Sequence, residues 1–232
     1  MRHTLRLLCC AVLTAAVLCG CGQNGDGNPA PSGSSETAAS VQTDGVPADA
    51  AEQLRAVLEQ EPAAVPADGW TDDTLLDVTY VNGKKLQIPF SMDALGDGYQ
   101  VVTDEDNFIQ REEKTTAALS YYGMICGLLT TPGKVTPESF AEQQFSGITF
   151  YTMVTEPESY PEVFPISING VTIGTSYDEM VARLGFTAVG DEDPNTTGRS
   201  HTVTGLTEHY YVRIIVTDAV VRHITIAQRD SE

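Results

Sequence analysis

Hydrophobic positions along the chain follow two periods, and the points where one period replaces the other outline its elements. The stretch "LLDVTYVNGKKLQIPF" sets Val78 and Tyr80 before Asn82-Gly83, and Leu86 and Ile88 after it. Alternation on both sides of an Asn-Gly pair predicts a hairpin closed by a two-residue type I′ turn, whose positive-φ positions Asn and Gly tolerate best. "FPISINGVTI" repeats the device: Ile166 and Ile168 precede Asn169-Gly170, and Val171 and Ile173 follow. The two Asn residues are 87 positions apart (169 − 82).

The period then lengthens in both places. Ser176-Tyr177-Asp178-Glu179 has the form of a capping box, and Tyr177, Met180, Val181 and Leu184 fall on one helical stripe that stops at Gly185. Ser91-Met92-Asp93-Ala94-Leu95 is a shorter version ending in "GDG". Gly98 precedes Asp104-Glu105-Asp106 by six positions, as Gly185 precedes Asp191-Glu192-Asp193. Strand-like runs follow each acidic knot. "EHYYVRIIVTDAVVRHITIAQ" predicts two strands around a turn at Asp218-Ala219, with Tyr210, Val212, Ile214 and Val216 sharing a face. "TTAALSYYGMICGLLTT" and "GITFYTMVT" are their counterparts, separated by the insertion 131–144.

This order, hairpin, helix, then strands, predicts an α+β fold of two tandem small modules, each a helix with an antiparallel sheet, over residues 68–158 and 159–232. The Pro-containing segment 156–162 is the expected boundary. Ahead of the modules, "DAAEQLRAVLEQEP" predicts a short helix begun at Asp49 and stopped by Pro62; the pattern leaves open whether it docks or frays.

The N-terminus changes the picture from architecture to address. Arg2 and Arg6 precede an apolar run from Leu7 to Leu18, too short for a membrane-spanning helix of roughly 20 residues. Leu18-Cys19-Gly20-Cys21 then resembles a bacterial lipobox, which implies a signal peptide over residues 1–20 and diacylglycerol on Cys21. Residues 21–67 carry almost nothing large and apolar before the short helix, the composition of a flexible tether. The implied location is the extracytoplasmic face of a cell membrane, with the membrane itself as one partner.

Cleavage there leaves Cys126 as the one thiol, so a disulfide framework is excluded. It also moves the formal charge from −19 to −21, because residues 1–20 hold two Arg and no acid. Such a chain does not attract nucleic acid; basic surfaces and cations are its charged partners.

Candidate chemistry is sparse. Counted as a calcium loop, Asp191, Asp193 and Asn195 supply positions 1, 3 and 5, but Thr196 and Thr202 stand where Gly and Glu are needed. Counting from Asp104 through Asp106 fails at Phe108, so these acids read as solvated turns or weak cation ligands. His201, expected in a polar loop, His209 and His223, expected on a strand surface, form no zinc-ligand pair. Cys126 lies in an apolar run without a nearby His, and Trp70 before the first strand is expected to pack. No nucleophile elbow or phosphate loop occurs, so no catalytic residue and no cofactor is expected.

"NGVTIGTSYDEMVARLGF" resembles a phrase of bacterial envelope lipoproteins: a strand ending in Ile-Gly, a Ser-x-Asp helix start and a Leu-Gly helix end, here Ile173-Gly174, Asp178 and Leu184-Gly185. It is similar to the helix-plus-sheet module of the beta-lactamase-inhibitor-protein-like fold, shared with the SmpA/OmlA assembly lipoproteins. The whole chain resembles surface lipoproteins of Gram-positive anaerobes. The resemblance covers about 60 residues of the second module well and the first loosely. It implies a non-catalytic module that binds an envelope or extracellular protein or scaffolds an assembly. A cation-dependent adhesin or a cell-surface hydrolase is the alternative.

Overall fold

The computed structural model describes residues 48–152, 164–188 and 198–229. Cys21, the acidic knot Asp191, Asp193 and Asn195, the segment 156–162, and the signal and most of the tether lie outside them. The fold is α+β and mostly strand.

α1 (Ala48–Leu58) is the predicted short helix, and it docks. Val57 is buried, and a Cβ on Gly83 would touch Gln53, which fixes the helix against the first hairpin turn. α2 (Asp72–Asp77) begins at Thr71, whose hydroxyl accepts the Thr74 N–H while the Thr74 hydroxyl accepts the Thr71 N–H, a reciprocal cap.

β1 (Thr79–Val81) and β2 (Lys84–Lys85) form the first hairpin, and β8 (Ile166–Ile168) leads into the second. Asn82 and Asn169 sit at φ 50° and 49°, each followed by a positive-φ Gly, as a type I′ turn requires. Their side chains do more than turn the chain. Asn82 Nδ2 donates to the carbonyl of Leu95, the last residue of α3 (Met92–Leu95), and Asn169 Nδ2 donates to that of Arg183 near the end of α4 (Tyr177–Leu184). Each turn thus caps the carbonyl end of the helix that follows it, where helices leave backbone acceptors unpaired. α4 starts as its sequence predicts, with the Ser176 hydroxyl accepting the Glu179 N–H, and stops at Gly185 in the left-handed region.

The remaining strands make one antiparallel sheet of eight: β3 (Tyr99–Val102), β4 (Phe108–Gln110), β5 (Lys114–Tyr121), β6 (Met124–Pro132), β7 (Gly147–Tyr151), β9 (Ser200–Leu206), β10 (Tyr210–Thr217) and β11 (Val220–Gln228). Its order is β3-β5-β6-β7-β11-β10-β9, with β4 also on β5. Two meanders, β5-β6-β7 and β9-β10-β11, join through their last strands, so the sheet runs across the boundary expected near residue 158. The hairpins join likewise: β1 pairs β8, with Tyr80 opposite Ser167. Residues 131–144 of the first half hold a 3₁₀ helix, Pro137–Glu142, whose Phe140 is fully buried.

One hydrophobic core lies between one face of this sheet and the helices and hairpins. Val212, Ile214 and Val216 supply it as the alternation predicts, and Met180 and Leu184 cover it. Trp70 is buried in it, its indole N–H donating to the Leu184 carbonyl at 2.8 Å.

Candidate functional site

Two places outside the core have chemical character. The first is a knot between the start of α2 and the β9–β10 turn. Because Asp72 is the first residue of α2, its carboxylate sits at the helix's positive end. Oδ1 accepts the Thr207 hydroxyl at 2.5 Å and the His209 N–H at 3.0 Å, and Oδ2 faces His209 Nδ1 at 2.6 Å. A carboxylate only accepts, so Nδ1 carries the proton. The hydrogen bond to Asp72 holds the His209 imidazole above its ordinary pKa. Burial pushes the Asp72 carboxyl up, but the hydrogen bonds from Thr207 and His209 outweigh it and leave that group below its ordinary value.

Asp72, Glu208 and His209 place three ligand-type atoms within 4.8 Å of one another. The donors are already engaged, since both Asp72 oxygens are spent on Thr207 and His209, and Glu208 lies 4.0 Å from His209 Nε2. A base of this kind would need a nucleophile beside the free imidazole nitrogen. The Thr207 hydroxyl, two residues away, donates to the carboxylate instead. The His209 side chain is 66% exposed. The arrangement latches α2 to the sheet across 137 residues of sequence.

The second place is the face of the large sheet away from the core. Its eight strands contain no Asp or Glu, although the chain has 32. Register carries one row straight across it, from Thr204 through Arg213, Thr225 and Thr149 to Leu128, Ala118 and Val102. The parallel row runs from Leu206 and Tyr211 to Thr116 and Ile109, and its end residues are 60% and 52% exposed. Contacts between neighbours confirm the shared side: the Thr149 and Thr225 hydroxyls are 3.0 Å apart, Tyr151 stacks on His223 at 5.5 Å, and the Arg213 guanidinium lies 5.7 Å over the Tyr211 ring. No described helix packs on this face. Threonine and β-branched residues favour such a surface intrinsically, and isolated strand propensity also disfavours Asp.

The expected residues fall as follows. Asp104 accepts both the backbone and side-chain N–H of Asn107, an Asx turn at the β3–β4 connection, and Asp106 is exposed beside it. His201 is not in a loop: it is buried on the core side of β9, because the alternation that buries Val203 and Gly205 carries it inward as well. His223 is half-buried on the open face, and burial pulls its imidazole down. Cys126 is buried, its thiol pushed up to about 12 by desolvation, and so is chemically quiet. The Asp72–His209 latch has no local signature; the Thr71-to-Thr74 cap was the one signal for α2 within the sequence.

Beside the hairpins, a crevice of about 200 Å³ is lined by Glu61, Tyr80, Ser167 and Asn169 among others. No described helix is long and apolar enough to cross a membrane. No family model, curated protein or solved structure matches the chain.

Proposed function

We propose that this chain is a lipid-anchored, extracytoplasmic protein that acts by binding another protein rather than by catalysis, with the open face of its large sheet as the docking surface. The observation that carries the reading is the segregation of charge: a strongly acidic chain keeps every carboxylate off eight adjacent strands. A carboxylate under a partner would have to be desolvated, at a cost of several kcal/mol unless paired. A surface that only meets water has no such constraint. The lipobox-like Leu18-Cys19-Gly20-Cys21 supports the anchor, with Cys21 as its attachment point.

We also read the fold as two tandem modules of the beta-lactamase-inhibitor-protein-like kind. In support, Tyr80 and Ser167, opposite each other in the β1–β8 pair, are themselves 87 positions apart (167 − 80), the spacing of the two Asn-Gly turns. The paired β7 and β11 are the last strands of the two meanders.

A photo-crosslinking residue at position 149, in the full-length chain on living cells, tests the binding surface. A discrete adduct from position 149 and none from position 142, on the covered side, is the expected result; equal labelling removes the face from consideration. Labelled fatty acid incorporated into the chain, and lost in Cys21→Ser, tests the anchor.

A further inference from the structure

The floor of the open face and its perimeter have opposite character. The floor carries Arg213, which lies over Tyr211, and Lys114 at the start of β5, on the side of Thr116 and Ala118; its middle is uncharged, made of Thr149, Thr225, Leu128 and the Tyr151–His223 stack. Four of the tight turns at the strand ends, residues 103–107, 111–113, 207–209 and 218–219, carry Asp104, Glu105, Asp106, Glu112, Glu113, Glu208 and Asp218, all exposed, while the β5–β6 turn Tyr122-Gly123 is uncharged. Against these seven carboxylates the same turns offer Arg111 and His209, the latter committed to Asp72, while Lys134 pairs with Glu112 and Arg229 holds the Thr207 and Glu208 carbonyls, so the acids still outnumber the cations. At physiological salt, charges act over about 8 Å, so the rim influences what settles at the edge and leaves the centre neutral.

The size suits a protein contact. Seven strands in sequence across the sheet span about 29 Å at ~4.8 Å per step, and strands of this length run to about 25 Å. That footprint is on the order of 700 Å², comparable with one side of a standard interface.

Resting on the docking surface proposed above, we infer that its occupant is a protein segment with an apolar or aromatic tip flanked by lysine or arginine. The tip covers the carboxylate-free floor, where a buried lysine or arginine would find no counter-ion, and the basic flanks reach the acidic turns. A second copy of this chain is the poorer fit, because it would set the same acidic turns against each other.

The test pans a phage library of disulfide-closed random loops against the full-length chain at physiological salt. Loops recovered should carry Trp, Phe, Tyr or Leu between basic residues. Their affinity should fall at least tenfold with Thr149→Glu, and separately with Arg213→Glu, whose exposed site spares folding. It should also fall with rising salt. Loops blocked by both variants but lacking basic flanks would overturn this inference while leaving the docking surface intact. Loops indifferent to both variants would overturn the two together. A concentration-dependent dimer abolished by Thr149→Glu would assign the face to a second copy, and also overturn the inference.

Discussion

Removing the side chain of Asn169 should cost more than any other single change in a turn, because that one amide joins three segments. Its Oδ1 accepts the Ala63 N–H at 2.8 Å, and its Nδ2 donates to the Ala63 carbonyl at 2.9 Å and the Arg183 carbonyl at 2.7 Å. The residue is 4% exposed. A net ~0.5–1.5 kcal/mol per hydrogen bond puts the three at about 1.5–4.5 kcal/mol. The crevice beside Asn169 admits water to the orphaned groups, so about 2–3 kcal/mol is expected for Asn169→Gly. Glycine accepts φ 49° but adds about 0.5–1 kcal/mol of backbone entropy in the unfolded chain. Alanine lacks that freedom and instead carries a left-handed strain of about 1–2 kcal/mol, so Asn169→Ala should lie roughly 0.5–1 kcal/mol below Asn169→Gly. Asn82→Gly loses two bonds, to Tyr121 and Leu95, and should cost about 1–3 kcal/mol. Urea unfolding followed by Trp70 fluorescence reads this directly, since the single Trp is bonded to Leu184 next to the affected carbonyl. A loss below about 1 kcal/mol in Asn169→Gly would refute the bridging argument. Alanine equal to or better than glycine would refute the turn geometry.

The Asp72–His209 pair sets a pH dependence with a definite sign. His209 is raised, so its stabilisation is present below the unfolded His value and is lost as pH rises through the folded one; Asp72 is lowered, so its own is lost in acid. Urea midpoints should therefore fall between pH 6 and 8 more steeply in the natural chain than in His209→Gln; parallel slopes would contradict this. His223 is depressed by burial and acts in the opposite sense, which is why the comparison is made with the variant. Cys126 should resist a thiol reagent in the folded protein and react promptly in urea when Cys9, Cys10, Cys19 and Cys21 are replaced by Ser; rapid native labelling would contradict its burial. Gly205→Ala should destabilise by about 1–3 kcal/mol in the same urea assay, because the new methyl would meet the Phe186 ring; an unchanged midpoint would mean the ring can move aside.

Several elements were legible because their causes are local. The Asn-Gly turns, the Ser176 cap, the stripe from Tyr177 to Leu184 and the alternation in β10 are each decided within a few residues, and each forms where the pattern puts it. α2 was missed because its apolar content is small, and Leu75 supplies most of its burial. His201 was misplaced because a Thr- and Gly-rich stretch looks like a loop until its alternation is laid against β10. Of the candidate site, the outward side of each strand was legible from alternation, but not that eight strands join into one open face. Its freedom from carboxylates can be counted in the sequence, but only once strand boundaries are known.

By itself the sequence determined the two Asn-Gly turns, the helix that starts at Ser176, the alternation that divides each strand into core and outer sides, and the acidic balance. These depend on turn preference, side-chain period and composition, which act over short distances along the chain. The tertiary structure alone decided that β7 meets β11, that β1 meets β8, and that Asp72 meets His209. Those contacts join residues 72 (223 − 151) to 137 positions apart, where pairing depends on which buried faces must cover one another rather than on any neighbouring residue.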